Sequence, residues 1–117
     1  MDNWQDEGPY RDHYVMELIN QTRKVGMALH GGGQARMEGL APHIEDLAAH
    51  AARVDDDRAE DDIEARYKPE HVVALLEQVR LVDENRRSGE NLTVGSGRDL
   101  LLRLQALADV LEQDLAP

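Results

Sequence analysis

Cysteine and phenylalanine are both absent from the 117 residues of the chain. Without cysteine the chain can form no disulfide, no thiolate nucleophile and no Cys-ligated zinc site. That absence is compatible with a reducing cytoplasm, which is the compartment we expect. The aromatic side chains are few, namely Trp4, Tyr10, Tyr14 and Tyr67. Leucine, valine and alanine must therefore build the core, which favours helices over a sheet.

Long apolar runs are also missing. No stretch approaches the roughly 20 apolar residues that a membrane-spanning helix needs. The first residues are acidic and contain no apolar segment, so we expect no signal peptide. Positive charge is scarce, with 13 Lys and Arg against 24 Asp and Glu and a net charge of −11. Such a chain is repelled by nucleic acid and by anionic lipid, so we expect neither direct nucleic-acid binding nor membrane binding.

Four long stretches of the sequence carry aliphatic residues at three- and four-residue steps, the pattern of an amphipathic helix. We therefore predict an all-α protein in which four long amphipathic helices form a bundle. Residues 1–8 are predicted to be an irregular lead-in, and residues 9–117 a single domain. The predicted helices run approximately over 9–30, 34–54, 69–87 and 97–115. Gly31 to Gly33 are predicted to end the first helix, and Ser88-Gly89 the third.

Three local features refine this prediction. Pro42 lies inside the second apolar pattern and removes one helical hydrogen bond. Either the helix is kinked or broken at Pro42, or it starts near Ala41 with Pro42 in its first turn. A short acidic helix is predicted from about Asp57 to Tyr67 in the central connector, because aspartates favour a helix N-terminus. Ser96, with an acid three residues later, is predicted to cap the last helix.

The five histidines invite a metal hypothesis, because metal sites in helical bundles project His and carboxylate side chains inward. At about 100° per residue, none of them points into the predicted core. These residues are His13, His30, His43, His50 and His71. Glu17 and Glu77 also lie away from their apolar stripes. We therefore expect no metal site and no cofactor, and every imidazole and carboxylate outside the core. No catalytic constellation is found, so we predict that the protein is not an enzyme.

The acidic run that begins at Asp55 has the carboxylates, but not the spacing, of a calcium-binding loop. An EF-hand loop needs glycine at its sixth position and glutamate at its twelfth. Here those positions hold Glu60 and Arg66, so the loop does not fit. The run is instead a candidate partner-contact surface, formed by Asp55, Asp56, Asp57, Glu60, Asp61, Asp62 and Glu64.

The last helix has the widest apolar face. Such a face can contact more than one neighbour, so part of it is a candidate oligomer face in a possible homodimer. The residues proposed for that face are Leu100, Leu104, Leu107 and Leu111.

These patterns favour a small acidic, non-enzymatic helical interaction protein, such as an adaptor, subunit or inhibitor. It would bind a protein partner through helix faces, with buried apolar anchors supplying most of the energy. One alternative is a DNA-mimic inhibitor from a phage or mobile element, because DNA is itself a regular array of negative charge. A second alternative is a helical ligand- or metal-binding enzyme, which would need a buried polar group that the sequence does not place.

Overall fold

Four helices make up most of the chain that the computed structural model describes, residues 12–30, 37–56 and 67–114. They are α1 (Asp12–His30), α2 (Met37–Asp56), α3 (Pro69–Arg87) and α4 (Gly95–Asp114). No strand occurs within the described ranges. The prediction of an all-α protein with four helices is confirmed. The lead-in lies outside the described residues, and so does the predicted short acidic helix except for Tyr67, which is buried and non-helical.

The four helices form a ring in which each packs against the next and α4 returns to α1. Consecutive helices run in opposite directions. In the middle of α1, the Gln21 side chain donates a hydrogen bond of 3.1 Å to the carbonyl of His43, near the start of α2. Near the start of α1, Glu17 lies 3.5 Å from Arg53, near the end of α2. These contacts establish an antiparallel pair.

The same reversal holds between α3 and α4. Gln78 donates a hydrogen bond of 3.0 Å to the carbonyl of Leu100. His71, in the first turn of α3, lies 2.9 Å from Asp114, the last residue of α4. Between α2 and α3, Arg86 at the end of α3 lies 3.4 Å from Glu45 in the first half of α2, so this pair is also antiparallel. One end of the bundle therefore carries the first residues of α1 and α3 and the last residues of α2 and α4. We refer to it as the terminal end.

The core lies on the ring axis and is made of the aliphatic side chains that the sequence pattern marks. All four helices contribute to it, and each fully buried leucine or valine stabilises the fold by roughly 1.5–3 kcal/mol relative to an exposed one. Its fully buried helical members include Val15, Leu18, Val25, Ile44, Leu47, Val54, Val72, Leu75, Leu101, Leu104 and Leu111.

The second helix begins at Met37 and continues through Pro42. Of the two alternatives for this segment, the late start near Ala41 is therefore wrong. Proline at this position has no N–H to donate to the carbonyl of Glu38, four residues earlier. Its ring is exposed to solvent, so that the missing hydrogen bond lies on the outer side of the bundle.

The third helix ends as predicted, at Ser88-Gly89. Gly89 has a φ of 88°, and its N–H donates to the carbonyl of Arg86 at 3.1 Å. The N–H of Glu90 donates to the carbonyl of Asn85 at 3.0 Å. These two bonds form a Schellman motif, which satisfies carbonyls that the helix end would otherwise leave unpaired.

The fourth helix starts earlier than predicted. It begins at Gly95, and the N–H of Arg98 donates to the carbonyl of Val94 at 3.1 Å. Ser96 therefore lies inside the first turn, and the prediction that it caps the helix is wrong. The neighbouring Gly97 is buried, because the preceding loop approaches its backbone closely.

Candidate functional site

Buried polar side chains in the bundle donate hydrogen bonds to neighbouring helices. Gln21 and Gln78 are 4% and 3% exposed. The side-chain amide of Gln21 donates to the carbonyl of His43 in α2, and that of Gln78 donates to the carbonyl of Leu100 in α4. A buried amide that is bonded in this way fixes how two helices align along their length. These groups are therefore structural, and their hydrogen bonds lie inside the bundle.

Asp83 is a buried carboxylate that the sequence analysis missed. It is 7% exposed, and it corrects the prediction that every carboxylate lies outside the core. Its two oxygens each lie 2.9 Å from a guanidinium nitrogen, one of Arg86 and one of Arg87. Arginines three and four residues further along a helix are on the same face as the carboxylate. That spacing was the available signal, because paired charges are the ones that tolerate burial.

Asp114 is a second shielded carboxylate, with a side chain that is 6% exposed. It accepts hydrogen bonds from His71 Nδ1 at 2.9 Å and from the backbone N–H of Lys68 at 3.0 Å. Burial by itself would raise the pKa of Asp114. The hydrogen bond from Lys68, the hydrogen bond from His71 and the positive charge nearby outweigh burial and lower that pKa. The group joins the end of α4 to the start of α3.

The other histidines do not converge. His13 is highly exposed and lies 3.3 Å from Glu17. His30 is exposed, while His43 and His50 are partly buried. Among the described residues, no three His, Asp or Glu side chains are placed to hold a metal ion.

The predicted partner-contact surface is described only at its start. Asp55 and Asp56 are the last two residues of α2, at the terminal end, and both are exposed. The remaining members lie outside the described residues, namely Asp57, Glu60, Asp61, Asp62 and Glu64.

The residues of the predicted oligomer face occupy two environments. Leu104 and Leu111 are 0% exposed and belong to the core of the single chain. Leu100 and Leu107 are partly buried and pack against that core. The width of the apolar face of α4 reflects its contacts with both α1 and α3.

A groove of about 450 Å³ lies between α2 and α3. Its apolar surface comes from alanines of α2 and larger aliphatic side chains of α3. Val73 is 52% exposed at the groove. The residues that line it are Ala48, Ala51, Ala52, Asp55, Val73, Leu76, Glu77, Val79, Arg80, Asp83 and Arg87. The alanine methyl groups are too short to fill the space between the helices. Sequence reasoning missed the groove, because alanine on an apolar stripe was interpreted as core.

The arginines around the groove are engaged by carboxylates of the same chain. Arg80 lies between Glu77 and Glu84 and is hydrogen-bonded to both. The hydrogen bond to Arg80 lowers the pKa of Glu77, and the same bond raises the pKa of Arg80. On the other side of α2, Arg53 lies 3.5 Å from Glu17 and 5.6 Å from the centre of the Tyr14 ring. The surface that the groove offers to a ligand is therefore mainly apolar.

None of the described helices is long and apolar enough to cross a bilayer. No protein-family model, no curated protein and no solved structure matches the chain.

Proposed function

We propose that the protein is a non-enzymatic interaction protein that binds a protein partner in the groove between α2 and α3. The observation that carries this proposal is an apolar groove with an exposed valine, Val73, between two antiparallel helices. Grooves of this kind accept side chains from a partner, and apolar anchors in such sites supply most of the binding energy.

The polar groups beside the groove favour binding over catalysis. Asp83 is neutralised by two arginines, and Arg80 is held by two glutamates. A general acid, a general base or a nucleophile must have an atom that can reach its substrate. Because these groups are engaged with one another, apolar contact is the interaction that the groove supports best.

Site-specific photo-crosslinking in the cells that produce the protein tests this proposal. A photoreactive amino acid at Val73 samples the groove. The same photoreactive amino acid in place of Met27 serves as the control. Met27 is 71% exposed on α1, on the opposite side of the ring. We expect a discrete adduct with another protein from position 73 and not from position 27. The same adducts from both positions, no adduct from 73, or an adduct of two copies of this chain would overturn the proposal.

The other hypotheses stay predictions. The DNA-mimic hypothesis depends on the acidic run, of which the structure describes only Asp55 and Asp56. The hypothesis of a ligand- or metal-binding enzyme gains no support from the described side chains. The cytoplasm stays the predicted compartment.

A further inference from the structure

Rows of glutamates border the groove on its solvent side. On α3, Glu70, Glu77 and Glu84 recur every seven residues, and all three are exposed. Residues seven apart on a helix lie one above the other. On α2, Glu45 and Glu38 have the same spacing and are also exposed; Glu45 lies one turn before Ala48, the first lining residue of α2, and Glu38 lies two turns further from the groove. At about 100° per residue, both rows lie roughly 60–100° from the middle of the groove lining on their own helix. We call them the two glutamate rims.

The negative charge of the rims is only partly neutralised by basic residues of the same chain. Glu70 forms no ion pair with any described residue, and neither does Glu38, which lies beyond the end of the groove lining on α2. Arg80 is shared between two rim glutamates, so that one positive charge faces two negative charges. Arg86 reaches Glu45 at 3.4 Å, but its guanidinium also serves the buried carboxylate of Asp83. The groove therefore lies between two borders that remain acidic.

The length of the groove suggests the form of its occupant. Its lining extends over about 21 Å on α3, from Val73 to Arg87, and over about 10 Å on α2, from Ala48 to Asp55. A helix of about 14 residues, or four turns, spans the longer side, and about two of its turns lie between α2 and α3. A helix lying between two others places aliphatic side chains toward both and charged side chains along both flanks.

Resting on the proposed function, we infer that the partner segment is an amphipathic helix of about four turns with an aliphatic stripe flanked by Lys or Arg. The stripe fills the space above Ala48, Ala51 and Ala52, and the basic flanks meet the two glutamate rims. Charge complementarity of this type favours segments of opposite charge and disfavours segments of like charge, because like charges repel.

The same charges disfavour two other occupants. A second copy of the chain seated face to face would place glutamate rims against glutamate rims. Residues 1–11, which contain the lead-in, carry Asp2, Asp6 and Glu7 against the single Arg11, and so have the same sign as the rims. A basic segment from a different protein is the occupant that the rims favour.

Binding of synthetic peptides to the purified full chain tests this inference. The first peptide has 16 residues, with leucines in a helical stripe and lysines on both flanks. The second has glutamates in place of the lysines, and the third has the composition of the first in a scrambled order. Fluorescence anisotropy of labelled peptides gives each Kd. We expect the first peptide to bind about tenfold or more tightly than the other two, and its affinity to fall with salt.

Charge reversal at the rims distinguishes binding through the rims from a general attraction of basic peptides to an acidic protein. The double variant Glu45→Lys, Glu70→Lys alters both rims beside the groove, at exposed positions. The control is Glu90→Lys, Asp99→Lys, which changes the net charge equally at exposed positions outside the rims. We expect the rim variant to lose preference for the lysine peptide and to gain binding of the glutamate peptide, while the control keeps the original preference.

Two results of the peptide experiments would overturn the inference, as would the two crosslinking results given after them. One is equal binding of the lysine peptide and its scrambled form, which would mean charge attraction without a helical stripe. The other is a rim variant that behaves like its control. Failure of all peptides together with a partner adduct at Val73 would reject the helical occupant and leave the docking groove in place. An adduct between position 73 and residues 1–11 would instead identify the lead-in as the occupant and overturn the inference.

Discussion

Glycines in this bundle differ in what a single methyl group would meet. At Gly97 a Cβ atom would lie 2.5 Å from the carbonyl oxygen of Asn91 and 2.9 Å from the Cα of Leu92. These are backbone atoms, so relief requires the loop itself to move. At Gly39, in the first turns of α2, a Cβ would have no neighbour within 4 Å. The two positions form a matched pair for mutation.

We predict that Gly97→Ala lowers the free energy of unfolding by about 1–3 kcal/mol, because it overpacks the contact between α4 and its preceding loop. Gly39→Ala should raise the same quantity by up to about 1 kcal/mol, because alanine favours the helix. Urea unfolding followed by circular dichroism measures both. A Gly97→Ala variant as stable as the wild type would show that the loop does not approach α4 as described.

A second residue-scale feature is Asp114, a carboxylate at the C-terminus of its own helix. That position is unfavourable for negative charge. The backbone N–H of Lys68, the N-cap of α3, and the ring of His71 in the first turn of α3 both donate to this carboxylate and offset that effect. The folded-state pKa lies below the ordinary value of 3.8, so the ionised carboxylate stabilises the fold above that pH. This contribution is lost as the pH falls through the folded-state pKa.

We predict that Asp114→Asn lowers the free energy of unfolding by about 1–2 kcal/mol at neutral pH, because a charge-assisted hydrogen-bond acceptor is lost. The difference from the wild type should shrink as the pH falls below 3.8. Urea unfolding between pH 7 and the lowest pH at which the protein is folded measures the effect. The control is Asp99→Asn, at an exposed position without an ion pair to a described residue. A difference that is independent of pH would refute the role assigned to the carboxylate.

Burial of single polar residues was the part that the sequence predicted least well. A hydrophobic stripe predicts which face of a helix turns inward, and it did so for Leu18, Ile44 and Leu104. It treats every carboxylate as solvent-facing. Asp83 and Asp114 are shielded because specific donors pair with them, and for Asp114 the donors lie at the start of another helix, in its N-cap and first turn. Such tertiary partners are not visible in a periodic pattern.

At the scale of elements, α2 is distinctive because proline lies within it. Pro42 is the sixth residue of the helix, and its preceding turn lacks one main-chain hydrogen bond. Sequence analysis left the start of α2 open at this point, because proline is equally compatible with a first turn. Packing places the start of α2 before Pro42, because Leu40 is 1% exposed and belongs to the core that the helix covers.

We predict that Pro42→Ala raises the free energy of unfolding by about 1–3 kcal/mol, because it restores the hydrogen bond to Glu38 and improves helix propensity. Ala49→Pro, at an exposed position further along α2, should instead lower it by about 3 kcal/mol or more. Thermal unfolding of both variants provides the measurement. If Pro42→Ala left stability unchanged, the helix would have to start beyond Pro42.

The contact between α1 and α4 shows a limit of element-scale prediction. Gly26 is buried, and a Cβ there would lie 2.7 Å from the side-chain amide of Gln105. That amide donates to the carbonyl of Thr22 at 3.0 Å. The sequence predicts both helices, but the close approach depends on a glycine and a glutamine 79 positions apart. The groove between α2 and α3 was missed for a related reason, since it depends on alanines that pack incompletely.

At the scale of the whole molecule, the net charge of −11 acts against compactness. Salt screens the repulsion between excess carboxylates, and it also weakens exposed pairs such as those of Arg80, which are individually worth little. Raising ionic strength from about 0.01 M to about 1 M shortens the screening distance from about 30 Å to about 3 Å. Repulsion is the larger of the two effects, because acids outnumber bases 24 to 13.

We therefore predict that the melting temperature rises with sodium chloride over this range, as measured by circular dichroism. A variant with Asp46→Asn and Asp99→Asn should show a smaller rise, because it removes two exposed charges that form no ion pair with a described residue. A melting temperature that falls with salt would mean that favourable ion pairs outweigh repulsion in the folded state.

The antiparallel ring has an electrical consequence along its axis. At the terminal end, the last ten residues of α4 carry Asp109, Glu112 and Asp114 and no Lys or Arg, and α2 ends in Asp55 and Asp56. At the opposite end, the second half of α1 carries Arg23 and Lys24 and no acid, and α3 ends in Arg86 and Arg87. The charge of the described residues is therefore more negative at the terminal end than at the opposite end. Electrostatic attraction to the terminal end would orient a cationic protein as it diffuses toward the molecule. Such a protein would make its first contacts near Asp55 and Val73, which line the groove at this end.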